Sequence, residues 1–485
     1  MKFNKKYVAL LLIAALLLGF AGAFTGVKLA QPDQSPAGEQ QEIPDTSGQN
    51  SSTPPENMQK VTQTYNLIKK HYLEDVEDNQ LIEGAIKGMV SSLDDPYSSY
   101  MDVETMEQFN ETIESSFEGI GAEVSMVNGK VTIVSPIKDS PAEKAGLRPN
   151  DQILSVDGES VAGLSLNEAV EQIRGEKGSE VVLEIQRSGV SEPFDVTIER
   201  DDIPVETVYS EVKTIDGEKT GVIEITSFAE NTAEHFNKQL KSLEEKNIEG
   251  LVIDVRGNPG GVLSAVEGVL KNFIPKDVPY VQIENQNGEA DKSYSNLDEK
   301  KPYPISVLIN EGSASASEIL AVAMKEVGYD VVGTNSFGKG TVQQAVPVGD
   351  DGSRVKLTFF KWLSPEGNWI HEKGVKPTDK VEQPDYYFTN PVQIDEPLKY
   401  DDTGESVKSI QVMLKGVGYE PGRTDGYFSK ETEAAVENFQ ADNDLKVTGE
   451  VNEKTAGAVE TNVVDRIRNG KDDRQMEKAL NVLYE

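Results

Sequence analysis

Hydrophobic positions change their period several times along this chain, and each change marks a new kind of element. An uncharged stretch rich in Leu and Ala, from Tyr7 to Val27, follows Lys2, Lys5 and Lys6, which is the layout of an export signal whose basic flank stays in the cytoplasm. Residues 1–28 are therefore expected to be a signal or a single-pass membrane anchor. Ala21-Gly22-Ala23 offers a cleavage site, while the apolar run is long enough for a span, so cleavage and anchoring both stand. Residues 29–55 turn to Gln, Pro, Ser, Gly and Thr, cannot bury a core, and read as a disordered linker. Helical spacing governs residues 56–112: Tyr65, Ile68 and Tyr72 share one face, and Leu81, Ile82, Ala85, Ile86 and Met89 another. Asp94-Asp95-Pro96-Tyr97-Ser98 then interrupts with turn chemistry. The segment reads as a helical part of a larger domain, with a dimerisation arm as the alternative.

From 113 to 202 the texture is β: Val131–Val134 and Val181–Ile185 alternate with turns at Asn128-Gly129 and Asp157-Gly158 and one amphipathic helix, Leu166 to Ile173. Gly119-Ile120-Gly121 precedes the first strand, where glycines let backbone N–H groups converge on a carboxylate. Between 203 and 390 the pattern becomes strand, helix, strand: Gly221–Phe228, then Thr232–Leu243 with Phe236, Leu240 and Leu243 inward, then the buried run Gly250–Asp254. That order predicts a crossover β-α-β unit. A second buried run, Pro304–Asn310, feeds Glu311-Gly-Ser-Ala-Ser-Ala-Ser-Glu318 and a helix to about Val327. Residues 395–462 show a compact three-helix pattern, and 463–485 a helical tail with no readable role. The fold class is thus multidomain, α/β and α+β.

Composition removes whole classes of chemistry. At 485 residues the chain exceeds one ordinary domain. Lys+Arg 47 against Asp+Glu 83 leaves a formal charge of -36, which repels nucleic acid. There is no cysteine, so thiol catalysis, disulfides and Cys-ligated metals are excluded. A serine at a strand-to-helix junction sits where free N–H groups stabilise developing negative charge, although an N-cap role is the commoner use. Such a hydroxyl needs a base. The histidines are poor candidates: His71 lies in the N-terminal helical segment, His235 inside an amphipathic helix, and His371 in a Gly-flanked stretch with no evident acidic partner. Lys339 lies between two glycines in Ser336-Phe-Gly-Lys-Gly-Thr-Val-Gln343, and a desolvated lysine has its pKa drawn down toward use as a base. Gln343 could orient its amine. Read alone, Gly-Lys-Gly is equally a phosphate-binding or turn-forming loop, without the full run a nucleotide site requires.

Two resemblances resolve the choice. Ser140-Pro-Ala-Glu-Lys-Ala-Gly-Leu147 and Asp151-Gln-Ile-Leu-Ser-Val-Asp-Gly158, with the helix that follows, resemble a PDZ domain over 113–202. This implies capture of protein C-termini with apolar side chains at Gly119, Ile120 and Gly121. Leu93-Asp-Asp-Pro-Tyr-Ser98, that domain, Asp254-Val-Arg-Gly-Asn-Pro-Gly-Gly261, Gly312-Ser-Ala-Ser-Ala-Ser-Glu318 and the Lys339 segment, in that order, resemble the carboxy-terminal processing (tail-specific) serine peptidase family. The resemblance implies a protease core over 203–390, completed by the helical part at 56–112. It makes Ser315 the nucleophile, with Ser313 and Ser317 as alternatives, Lys339 the general base, and Gln343 the residue that positions it. The oxyanion hole falls to Ala316 and to Gly260, with Gly261 open as the other glycine. No metal or cofactor is implied. Leu398–Gly404, Val407–Leu414 and Gly426–Gln440 are similar to a peptidoglycan-binding domain over 395–462, which places the chain outside the cytoplasm, as a membrane-anchored, secreted or wall-associated endopeptidase. Expected partners are protein substrates, with peptidoglycan, a second copy of the chain and an activating regulatory protein as further candidates. A non-catalytic PDZ scaffold on the wall, and a serine hydrolase of non-peptide substrates, are the rival readings.

Overall fold

The computed structural model describes residues 56–485, apart from Asn128, Ser188, Gly189, Ser191, Asp216 and Asp395. The expected signal or anchor and the linker lie outside the described residues. Among the described residues no helix is long and apolar enough to cross a membrane. The described residues fall into two compact units, 56–85 and 86–485. In the first, the spacing of apolar residues is realised as the helix Gln59–His71 and the start of Asp78–Ser91, with Lys69 paired to Asp78 at 2.7 Å.

In the second unit, strands Ala122–Val127, Lys130–Pro136, Gln152–Val156, Glu180–Gln186 and Phe194–Glu199 form an antiparallel sheet in that order. Alternating apolar residues bury one face: Ile133, Ile153, Leu183 and Ile185 pack against Ala169 and Ile173 of the helix Leu166–Ile173. Ser165 and Glu168 cap that helix reciprocally, satisfying N–H groups that its first turn leaves open. Strands Ser116–Gly119 and Asp201–Pro204 pair antiparallel and bring the chain's entry to this domain beside its exit.

The larger α/β body begins with the antiparallel pair β1 (Val208–Ile215) and β2 (Glu218–Ile225). Helix α1 (Thr232–Glu245), β3 (Gly250–Asp254), α2 (Leu263–Leu270), β4 (Ile305–Ile309), α3 (Ala316–Glu326) and β5 (Asp330–Gly333) follow. β2, β3, β4 and β5 are parallel neighbours, with β1 at one edge and the short strand Asp379–Lys380 at the other. Every residue of β3 and β4 is buried, which explains why they read as unbroken apolar runs. One face packs on Phe236, Leu240 and Leu243 of α1 and on α2 and α3. A long hairpin, β6 (Thr341–Pro347) and β7 (Arg354–Leu363), belongs to a second sheet in which β7 also binds Ser99–Met101 and Pro279–Glu284.

The other face of the parallel sheet is covered by α4 (Arg474–Asn481) and the residues after it. Val222, Val252, Leu308 and Val332 meet Ala479, Leu480 and Leu483 there. Ser306 Oγ donates to the Ala479 carbonyl at 2.8 Å, and the hydroxyls of Thr220 and Tyr484 are 2.6 Å apart. The tail without a readable role is therefore a layer of the α/β core. Helices Glu405–Gly416, Lys430–Asp442 and Glu453–Arg468 surround Ile410, Leu414, Phe428, Phe439 and Val459. Their module is inserted between the sheet's last strand and the helix that covers the sheet.

Candidate active site

Ser315 stands at the start of α3, where β4 hands over to the helix. Three alternating serines share this junction, and their surroundings differ. Ser313 Oγ donates to the Val255 carbonyl at 2.7 Å and accepts the Asn310 N–H at 3.0 Å. Ser317 Oγ donates to the Asn258 carbonyl at 2.9 Å. Both are fully buried, so those two hydroxyls hold the loops together. Ser315 is half-buried, and its hydroxyl gives its proton to no acceptor among the described residues. Its backbone has φ 53 and ψ -112, a region that costs a non-glycine residue on the order of 1–3 kcal/mol and persists where the surroundings over-determine it.

Much of that constraint comes from Glu318, which is fully buried one turn into α3. Its carboxylate accepts the N–H groups of Ser315 and Lys339 on one oxygen, both at 2.8 Å. Its other oxygen accepts the Ser336 hydroxyl and the Gly338 N–H, both at 2.6 Å. One side chain thus joins the serine loop to the lysine loop through four donors. The serine motif ends in Glu318, but the sequence does not assign it this part. The Ser-x-x-Glu spacing of a helix cap was the available signal.

The lysine loop is fixed from its other side by aromatic residues. Trp362 donates to the Lys339 carbonyl at 2.9 Å and Trp369 to the Gly340 carbonyl at 2.8 Å, so both tryptophans of the chain grip adjacent carbonyls. Gly340 must be glycine because a Cβ would come within 2.8 Å of the His371 nitrogen and of the Trp369 indole. His371 stacks on Trp369 and accepts the Gly340 N–H at its Nδ1, 3.3 Å away. That bond makes it a support of the lysine loop. His235, on α1, has a buried Nδ1 with no partner among the described residues.

The Lys339 amine is mostly buried and lies 5.1 Å from the Tyr97 ring centroid. Burial pushes its pKa below the ordinary lysine value, the charge of Lys356 adds to that push, and the carboxylates of Glu318 and Asp95 oppose it. The amine makes no hydrogen bond to Ser315 or Gln343 here. Gln343, on β6, instead donates its amide to Thr341 and Thr358, each at 3.0 Å.

The Asn258–Gly261 turn packs on the serine from the side of β3. A Cβ on Gly260 would lie 2.8 Å from the Ser315 Cβ and 2.9 Å from the Ala316 nitrogen, so only glycine lets this backbone approach. The Gly260 N–H, however, donates to Asn258 Oδ1 at 2.8 Å. It is therefore committed in this arrangement, whereas the N–H groups of Ala316 and Gly261 have no partner among the described residues. In the small β domain the N–H groups of Ile120 and Gly121 are likewise open, while their carbonyls accept from Ala142 and Ile137 at 2.8 and 2.9 Å. Gly119 is engaged in the strand pair with Asp201. Arg174, just after the helix, pairs with Glu111 at 3.0 Å.

Comparison with known proteins gives this arrangement its relatives. Residues 219–381 match the model of peptidase family S41, and residues 132–187 that of a PDZ domain. Residues 403–459 match a peptidoglycan binding domain, and residues 16–105 the N-terminal domain of the activating protease CtpB. The chain is 51% identical over 482 residues to the carboxy-terminal processing protease CtpB of Bacillus subtilis (strain 168), covering 99% of each protein. It is 44% identical over 433 residues to carboxy-terminal processing protease CtpA of the same strain, covering 89% of this chain and 91% of that one.

Proposed function

Because the chain belongs to peptidase family S41, as a serine-type carboxy-terminal processing protease with a PDZ domain, we propose that Ser315 is its nucleophile and Lys339 the general base. The observation that carries this reading is the contrast among the three serines: Ser315 alone has an open hydroxyl, on a strained backbone, at the loop that Glu318 joins to Lys339. Neutral Lys339 takes the Ser315 proton as the oxygen attacks the scissile carbonyl, and returns it to the leaving amine. The step begins with the amine leaving the Tyr97 ring. The Ala316 N–H, at the positive end of α3, and a donor from the Asn258–Gly261 turn receive the oxyanion. Gly261 offers that donor directly; Gly260 does so only by releasing Asn258. Water then resolves the acyl-enzyme.

The PDZ domain presents the open Ile120 and Gly121 N–H groups to a substrate carboxylate, selecting proteins by apolar C-termini. The peptidoglycan-binding module and the processing-protease relatives fit work outside the cytoplasm, on extracytoplasmic proteins, with the wall as a mooring. The match to an activating protease's N-terminal domain fits a regulatory partner.

The test is cleavage of an unstructured protein with an apolar C-terminus by the full-length chain. Wild type cuts, Ser315→Ala and Lys339→Ala do not while remaining folded, and amidating the substrate's terminus slows cutting. Full activity in Ser315→Ala would refute the assignment, and indifference to amidation would refute selection by the tail.

A further inference from the structure

Of the turn Asp94–Ser98 only the Tyr97 ring enters the mechanism above, yet its other side chains also reach toward the site. Asp95 Oδ2 accepts the hydroxyls of Ser98 at 2.6 Å and Thr358 at 2.7 Å, and Oδ1 accepts the Tyr97 N–H at 3.0 Å. Burial works against its charge, but these donors prevail and hold the carboxyl below its usual value. At neutral pH Asp95 is therefore an acceptor only.

Donor and acceptor roles then follow in sequence. A threonine hydroxyl has one proton. That of Thr358 goes to Asp95, so its oxygen can only accept, and it accepts from Gln343 Nε2 at 3.0 Å. The second amide proton is engaged by Thr341 Oγ1 at 3.0 Å. An amide's oxygen and nitrogen have almost the same shape, so the partners alone decide which way it lies. Here they leave Gln343 Oε1 as the open group, without a donor among the described residues.

We propose that Asp95 is a positioning residue for catalysis: through the Thr358 hydroxyl it fixes the Gln343 amide so that its oxygen, and never its nitrogen, is offered to the Lys339 amine. This rests on the Ser315–Lys339 reading above. The polarity matters because a neutral amine carries one lone pair and N–H groups. An acceptor that takes an N–H sets the direction of the lone pair toward the serine. An amide nitrogen in the same place would donate to the lone pair and silence the base. The turn is well placed for this duty. Tyr97 lies against the Lys339 amine. Ser99–Met101 pairs with β7 at Arg354–Lys356, and the Thr358 N–H donates to Ser98 Oγ at 3.2 Å, so turn and relay are anchored to one strand.

The experiment measures kcat, KM and the pH profile of the full-length chain on an unstructured substrate. Thr358→Val keeps the shape and the Asp95 charge but removes the relay. Its kcat falls roughly tenfold to a hundredfold, with KM and the acidic limb of the profile unmoved, and Thr358→Ser, which restores the hydroxyl, recovers most of the loss. Asp95→Asn offers an N–H to Thr358, lets that hydroxyl donate to Gln343 and inverts the amide. Its plateau falls too, while the limb moves to lower pH because a carboxylate that favours charged Lys339 has gone. The proposal is overturned by full kcat in Thr358→Val, by equal losses in the Val and Ser variants, or by an Asp95→Asn limb that moves beneath an unchanged plateau. Cleavage by Ser315→Ala would sink the underlying Ser–Lys reading instead, whatever these variants do.

Discussion

Two polar assemblies built partly on the same loops use their hydrogen-bonding groups in opposite ways. Behind the sheet, Arg256 bonds Asp254 through Nε and one terminal nitrogen, and reaches Asp473 and Gln475 with its remaining donors. Asp473 also accepts from Gln383 and from the Met476 N–H. Burial opposes the Arg256 charge, yet Asp254 and Asp473 hold it more firmly protonated than usual. In front, the Ser315 hydroxyl proton, the Lys339 amine and the Ala316 N–H find no hydrogen-bond partner among the described residues, while the loops that carry them are tied down by Glu318 and the two tryptophans. The lesson is that satisfied groups locate the structure's fastenings and open groups on rigid supports locate its chemistry.

The comparison breaks or holds on how substitutions divide between rate and stability. The largest effect is expected from Ser315→Ala: cleavage falls by on the order of 10⁴-fold or more, and the melting temperature does not drop, because that hydroxyl fastens nothing. A large drop would place Ser315 with the fastenings. Next comes Arg256→Ala, which strands the buried Asp254 and the partly buried Asp473 and should cost about 3–5 kcal/mol in denaturant titration; a loss under 1 kcal/mol, roughly that of a surface pair, would show that the rear cluster holds little. Leu480→Ala opens a cavity under α4 and is expected to cost about 2–3 kcal/mol, with kcat per folded molecule unchanged. Should kcat fall in the folded fraction, the two regions are coupled and the division is wrong.

The smallest effect sharpens the front region alone. In the proposed mechanism the base is neutral Lys339, so the rate is expected to rise with pH through its lowered pKa. Removing the Lys356 charge relieves part of that lowering, and Lys356→Gln should move the acidic limb upward by less than about one pH unit with no change in melting. A downward move would mean that another charge controls the base.

What could be read from the chain follows the range of the interactions. The buried runs Gly250–Asp254 and Ile305–Ile309 announce parallel strands by local composition. The Ser315 and Lys339 segments announce themselves by small residues and glycines around one polar group. The link from Asp95 to Thr358 joins residues 263 apart, and no local pattern encodes it. Gln343 is legible as a candidate because it lies four residues after Lys339 in the chain, but its partner Thr358 is brought to it by the hairpin with β7. The tail after 462 reads as helical, but helical character does not say what the helix will cover. The part played by Glu318 is not legible locally, because three of its four donors arrive from the loop after β5.

The placement of α4 also bears on how the molecule comes into being. The Thr220–Tyr484 contact spans 264 residues, and the Ser306–Ala479 contact spans 173. A ribosome delivers the chain from its N-terminus at roughly 5–20 residues per second, so β2 to β5 emerge well before their second cover. Until then one side of that sheet is greasy and unclaimed, a surface that invites aggregation or chaperones. A copy cut short before α4 would be left with that face of its sheet uncovered.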